Sequence, residues 1–192
     1  CSVSISGNVA IVGALGDSEP QPGDQYVGSA YIFRFNGSQW IQEQKLEASD
    51  AHQFDEFGCS VSISGNVAVI GAQSKNTFRG SAYIFRYVGG SVSPWIEEEK
   101  LVEPGKESAQ GARNRFGAHV DIDKNYVAIS NWPTGHNPAD EEQVAYVFHR
   151  EEQQWVNEAR LVGSDIDVYS NFGSSIAISG DWVVVGASGH RY

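Results

Sequence analysis

The sequence predicts an all-β chain built from four-stranded antiparallel units, and three observations carry that expectation. Long words recur in a fixed order, with offsets of 58, 59 and 56 residues from Cys1 to Cys59, Ala118 and Ser174. Each word reads as a short strand bounded by turn residues. No segment shows an apolar period of 3.6 with helix caps.

The first recurring word is the clearest. Residues 1–14 read CSVSISGNVAIVGA and residues 57–72 read FGCSVSISGNVAVIGA, while 116–131 and 172–187 are looser copies. Its two halves carry β-branched residues, so both read as strands. Ser-Gly-Asn at 6–8 and 64–66, Asp-Lys-Asn at 123–125 and Ser-Gly-Asp at 179–181 leave room only for tight hairpins between them. The second word is GSAYIFRF at 28–35, GSAYIFRY at 80–87 and QVAYVFHR at 143–150, too densely apolar for a helix stripe. The third is WIQEQKL at 40–46, WIEEEKL at 95–101 and WVNEARL at 155–161, reached in the first copy through the turn Asn36-Gly37-Ser38.

A four-stranded sheet with two apolar faces cannot bury both alone. Radial stacking of such sheets solves this, so the predicted architecture is a β-propeller. Boundaries fall at 1–57, 58–116 and 117–172 for three blades, with 173–192 supplying the first two strands of a fourth, about three and a half blades in all. Phe57, Phe116 and Phe172 are predicted to fill the space between neighbouring blades. Gly58, Gly117 and Gly173 would let the innermost strand pass close to its neighbour. Trp40, Trp95 and Trp155 recur on the outer strand, where a large ring can seal a blade edge.

Phe-Gly at 57–58, 116–117 and 172–173, followed by Val-Gly-Ala or Ile-Gly-Ala at 12–14, 70–72 and 185–187, resembles the FG-GAP repeat of integrin-α-like propellers. The third copy departs from it, with Ser130-Asn131-Trp132-Pro133 in place of that second word. The resemblance implies a ring of about seven blades and a surface or secreted setting. With no Phe-Gly before Cys1 and a fourth copy that stops after two strands, the expectation is a segment of a longer chain. Self-association of open pieces is the alternative.

The resemblance also raises calcium, which such propellers hold in acidic loops between the first two strands. A hard cation needs six to eight oxygens. Only Asp121, Asp123 and Asn125 have a suitable alternation here, and Lys124 interrupts them. They are weak candidates, and no resident cofactor is predicted. Asp50 and Asp165, each four residues after the last Leu of a third word, read as turn caps. Cys1 and Cys59 occupy the same position of adjacent blades, too far apart to bond. Neither zinc-ligand spacing nor a nucleophile elbow is present. Asn36-Gly-Ser38 is a glycosylation sequon on an exposed turn.

A formal charge of −11 disfavours nucleic acid and anionic membrane as partners, and no apolar run is long enough to span a bilayer. The preferred reading is a non-catalytic extracellular or cell-surface module for protein or glycan recognition, adhesion or structural assembly. Its partner contacts should fall in the variable loops 15–28, 73–80, 103–115 and 131–143, with Trp132 and His136 the local candidates. Two alternatives stay open. One is a filament subunit joined to further copies or blades through open blade interfaces. The other is a polysaccharide hydrolase or lyase on a propeller scaffold, since fold alone does not set function. An intracellular scaffold would suit free cysteines but not the resemblance.

Overall fold

The computed structural model describes residues 2–17, 26–90, 93–106, 113–132, 142–167 and 169–189. Strands β1 (Ser2–Ser6), β2 (Val9–Ala14), β3 (Ser29–Phe35) and β4 (Trp40–Leu46) form one antiparallel meander. Strands β5 (Phe57–Ser64), β6 (Val67–Ala72), β7 (Ser81–Tyr87) and β8 (Trp95–Leu101) form the second. Strands β9 (His119–Asp123), β10 (Tyr126–Ser130), β11 (Ala145–Glu151) and β12 (Gln154–Leu161) form the third. Strands β13 (Phe172–Ser179) and β14 (Trp182–Ala187) form a final hairpin. A short turn, α1 (Lys75–Phe78), interrupts the β pattern with left-handed backbone at Asn76 and Thr77. These are propeller blades: β1, β5, β9 and β13 lie against one another in succession, and the Trp-bearing strands are outermost in each sheet.

Apolar cores form between blades. Val9, Ile11, Ile32 and Leu46 of the first sheet meet Val61, Ile63, Ile70, Phe85 and Trp95 of the second. The second sheet's opposite face, with Val67, Val69, Ile84 and Leu101, meets the matching residues of the third. The third covers Ile176, Ile178 and Val183 of the hairpin. Each sheet therefore buries one face against each neighbour, the burial that makes stacked repeats stable where a lone one is not.

Polar atoms fix the stacking. The first strand of every sheet is an edge strand, so alternate backbone N–H groups face the preceding blade rather than a partner strand. Serine side chains there accept them. Val61, Ile63 and Gly65 N–H donate to Ser2, Ser4 and Ser6 Oγ at 3.0, 3.2 and 3.0 Å. One blade on, Val120 and Lys124 N–H donate to Ser60 and Ser64 Oγ, both at 3.0 Å. At the last seam the acceptors are carboxylates: Ile178 and Gly180 N–H donate to Asp121 and Asp123 Oδ2, both at 2.8 Å. Ser62 Oγ also donates to Asp121 Oδ1 at 2.7 Å.

A second device recurs at the outer strand. Strand four carries a β-bulge in each blade, between Ile32/Phe33, Ile84/Phe85 and Val147/Phe148 on the partner strand. The residue skipped is always a glutamate: Glu43, Glu98 or Glu158. A bulge re-aims its side chain, and here it meets a basic residue of strand three: Arg34 with Glu43 at 2.7 Å, Arg86 with Glu98 at 2.8 Å, and the His149 ring with Glu158 at 3.2 Å. Glu98 also binds Arg150 of the next blade at 2.6 Å.

Candidate functional site

In such a meander, strand two ends where strand three begins, and strand four ends where the next blade starts. All the longer connections consequently gather at one end of the blades, and the tight hairpins at the other.

The Phe-Gly words pin this loop end. Phe57 and Phe116 are 1% and 0% exposed. Phe57 packs edge-on to Tyr83 and Phe85, at 5.4 and 6.1 Å between ring centres. Phe116 repeats this on Tyr146 and Phe148 at 5.9 and 6.2 Å. Phe172 is half-buried, and its N–H donates to Gln143 Oε1 at 2.6 Å. Gly28 and Gly80 form parallel bridges with Phe57 and Phe116 of the next blade. A Cβ on Gly28 or Gly58 would overlap the neighbouring blade's backbone, and both have φ above +80°. Gly117 is placed like Gly58, while Gly173 (φ +89°) faces Ser130 and Asn131. The residue before each Phe is also left-handed: Glu56, Arg115 and Asn171.

The loop end also holds three aromatic residues in unusual backbone. Glu56 N–H donates to Tyr26 O at 3.1 Å, and Arg115 N–H donates to Phe78 O at 2.8 Å, so Tyr26 and Phe78 are counterparts in successive blades. Tyr26, Phe54 and Phe78 have φ of 52°, 65° and 71°, values a bulky side chain adopts only where its surroundings enforce them. Phe78 lies under the guanidinium groups of Arg115 and Arg113, at 5.0 and 5.7 Å. Tyr26 and Phe54 stack at 6.3 Å, each 52% exposed.

Beside that pair opens a cleft of about 690 Å³ lined by Asp17, Lys45, Glu47, His52, Gln53 and Phe54 among others. A second, of about 450 Å³, lies across Phe54 toward Asp55, Asn76 and Thr77. Phe54 thus stands on the ridge between two concavities. Asp17 accepts from Ser29 Oγ at 2.5 Å and Tyr31 OH at 2.7 Å, with Lys45 Nζ at 3.3 Å. Those hydrogen bonds, led by Ser29, hold its carboxyl below the usual range.

Beneath the ridge is a buried cation. Lys75, 2% exposed, binds Asp55 Oδ2 at 2.7 Å, Asp50 Oδ1 at 3.3 Å and the Asp50 carbonyl. Asp50 also accepts from Lys100 Nζ at 2.6 Å and Tyr83 OH at 2.7 Å. Burial pushes the Asp50 carboxyl up, but the Lys100 and Tyr83 hydrogen bonds and the two lysine charges outweigh it and hold it at about 2. Asp50 therefore ties three blade elements together instead of capping a local turn. Asp55 does the local work, accepting His52 N–H at 2.7 Å. The third-strand tyrosine finds a carboxylate in every full blade: Asp17, Asp50, and Glu103 for Tyr146 at 3.1 Å.

The remaining residues singled out by sequence fall elsewhere. Trp132 is half-buried against His119 at 5.7 Å, and its N–H donates to Asn114 O at 2.7 Å. His136 lies outside the described residues, as does Cys1. Cys59 is a free thiol directed at Gly117 O, at 3.5 Å, and burial pushes it up to about 12. Trp95 and Trp155 are buried at the seams, where Trp95 Nε1 donates to Glu43 at 3.0 Å and Trp155 N–H to Glu99 at 2.9 Å. Trp40, on the first sheet's open face, is 43% exposed. Asn36 sits on an exposed turn, its Oδ1 accepting Ser38 and Gln39 N–H at 2.9 and 3.0 Å. Asp121 and Asp123 are engaged at the last blade seam, and Asn125 O accepts Arg150 N–H at 2.9 Å. Among the described residues no three His, Cys, Asp or Glu side chains converge as metal ligands.

Sequence reasoning covered Tyr26 and Lys75 only as members of the loops 15–28 and 73–80, and singled out neither them nor Phe54. A Phe in HQFDEFG carries no signal of its left-handed backbone, and the burial of Lys75 follows only from the loop that folds over it.

The fold and these seams define a repeat protein of stacked propeller blades. The chain belongs to the FG-GAP repeat family, whose profile matches residues 1–33, 40–85 and 155–191, more than half of the chain. No curated protein matches it.

Proposed function

We propose that this chain is a non-catalytic recognition module working outside the cell or at its surface, and that its loop end binds a glycan. The observation that carries this reading is the Tyr26–Phe54 pair, held half in solvent by strained backbone beside the 690 Å³ cleft. Stacked aromatic faces offer an apolar platform for the C–H face of a sugar ring. Asp17, Lys45, Glu47 and Gln53 supply hydrogen-bonding groups at its rim, the sparse polar set that gives a concave site its specificity. The setting is supported by the family, whose repeats are typical of surface and secreted proteins. Among the described residues no helix is long and apolar enough to cross a membrane. The acidic charge favours uncharged or basic partners over polyanions.

Binding to an array of neutral and basic oligosaccharides tests the reading. Binding of at least one glycan is expected, with affinity falling about tenfold or more in Phe54→Ala and Tyr26→Ala, and with the glycan recovered uncleaved. No binding, binding indifferent to both substitutions, or cleavage of the bound glycan would overturn it. A protein partner that competes at Phe54 would replace glycan by protein in the same cleft.

A further inference from the structure

Two arginines stand apart in this acidic chain. Arg34, Arg86, Arg150 and Arg160 each meet a carboxylate. Arg113, exposed, and Arg115, half-buried, meet none among the described residues, and Arg115 Nε is buried without a hydrogen-bond partner. Both guanidinium groups lie over the ring of Phe78 instead, at 5.7 and 5.0 Å. More positive charge gathers beside them, where Arg79 Nη2 donates to the carbonyl of exposed Lys106. Phe78 is also a wall of the 450 Å³ cleft across Phe54. In that cleft Asp55 is neutralised by Lys75 at 2.7 Å, while Asn76 and Thr77 are exposed and offer an amide and a hydroxyl.

We propose that this second cleft receives a hexuronic acid residue of the bound glycan, its carboxylate held by Arg113 and Arg115. The inference rests on the glycan reading of the loop end and extends it to a second sugar position. A glycan lying across Phe54 reaches from the larger cleft into the smaller one, because that ring is the ridge between them. An aromatic face restrains a guanidinium by cation–π attraction and leaves its N–H fork free for a carboxylate. The charge of −11 disfavours a polyanion. A single carboxylate is a different case, since it pairs with these two groups at contact range, where the nearest charges decide.

Calorimetric titration of matched oligosaccharide pairs tests this in ~0.15 M salt, each pair differing only in a terminal hexose oxidised at C6 to the uronate. In at least one pair the acidic member is expected to bind about tenfold more tightly, the effect of hydrogen bonds to a charged group. Arg113→Gln and Arg115→Gln should each reduce that ratio, and together bring it to about one, with circular dichroism unchanged. Arg115→Lys keeps the charge without the planar fork and should recover only part of the ratio. Arg113 is exposed, so its variant carries the test should Arg115→Gln disturb the seam. Equal affinities within every pair that binds, or a ratio indifferent to both arginines, would overturn this proposal and leave the glycan reading standing. No binding by either member of any pair would overturn both. Binding of glutamate-rich peptides but of no uronate, lost in the double variant, would reassign the arginines to a protein partner and overturn the proposal.

Discussion

Gly180 N–H donates to Asp123 Oδ2 at 2.8 Å across 57 residues of sequence. The same geometry joins Gly65 to Ser6 and Lys124 to Ser64. At this position of each repeat a backbone donor meets a side-chain acceptor from the blade before it, serine at two seams and aspartate at the third.

That interchange makes Asp121 a sharp probe. Asp121→Ala strands the Ile178 N–H at a seam, and urea unfolding should show a loss of about 2 kcal/mol, in the range for removing a partner from a buried or charged hydrogen bond. Asp121→Ser restores the acceptor used by Ser4 and should recover about half of that loss or more. With both carboxylates of the Asp121–Asp123 pair committed to backbone donors, EDTA is expected to leave the wild-type midpoint unmoved. A midpoint that falls with EDTA would assign these carboxylates to a cation.

The Phe-Gly words should differ in strength. Phe116→Ala empties a fully buried site and should cost about 3–5 kcal/mol. Phe172→Ala, at a half-buried site, should cost clearly less. Gly117→Ala forces a Cβ against the Ser81 carbonyl at φ +88° and should cost at least as much as a strained left-handed residue, about 1–3 kcal/mol. Equal losses for Phe116 and Phe172 in thermal or urea unfolding would contradict the seam assignment.

Much of this was legible in the words themselves. Phe57, Trp95 and the tight hairpins announce their places because the chain repeats them at one period. The S-x-S-x-S alternation was equally visible, but alternation says only which residues share a face. It cannot say that the face meets the N–H edge of another blade, so Asp121 and Asp123 read as weak metal ligands. The bulged glutamates were hidden for a related reason: Glu43 is one polar residue among several in WIQEQKL until register shows which is skipped. The cleft was least legible, since it rests on left-handed backbone at Tyr26 and Phe54, which is imposed by contacts between loops distant in sequence.

Acid should unfasten the Lys75 cluster. The Asp50 carboxyl is held at about 2 in the folded chain, against about 3.9 when unfolded. A depressed carboxyl stabilises the fold fully above its unfolded value, and that contribution is lost as pH falls toward the folded one. Urea midpoints of wild type should therefore drop between about pH 4 and pH 2. Asp50→Asn should be less stable at neutral pH and show a shallower fall in that window. Parallel curves for the two proteins would remove Asp50 from the account of acid sensitivity.

The stacking of blades through their inner edges is tested most directly by amide hydrogen exchange at Ile5 and Ile63. They hold the same place in the repeat, and Ile63 is buried under the first sheet where Ile5 is 62% exposed. Ile63 N–H should be strongly protected by Ser4, as should Ile178 N–H by Asp121. Ile5 N–H should exchange at close to the rate of an open edge. Matching rates at Ile5 and Ile63 would contradict the ladder and the radial packing built on it.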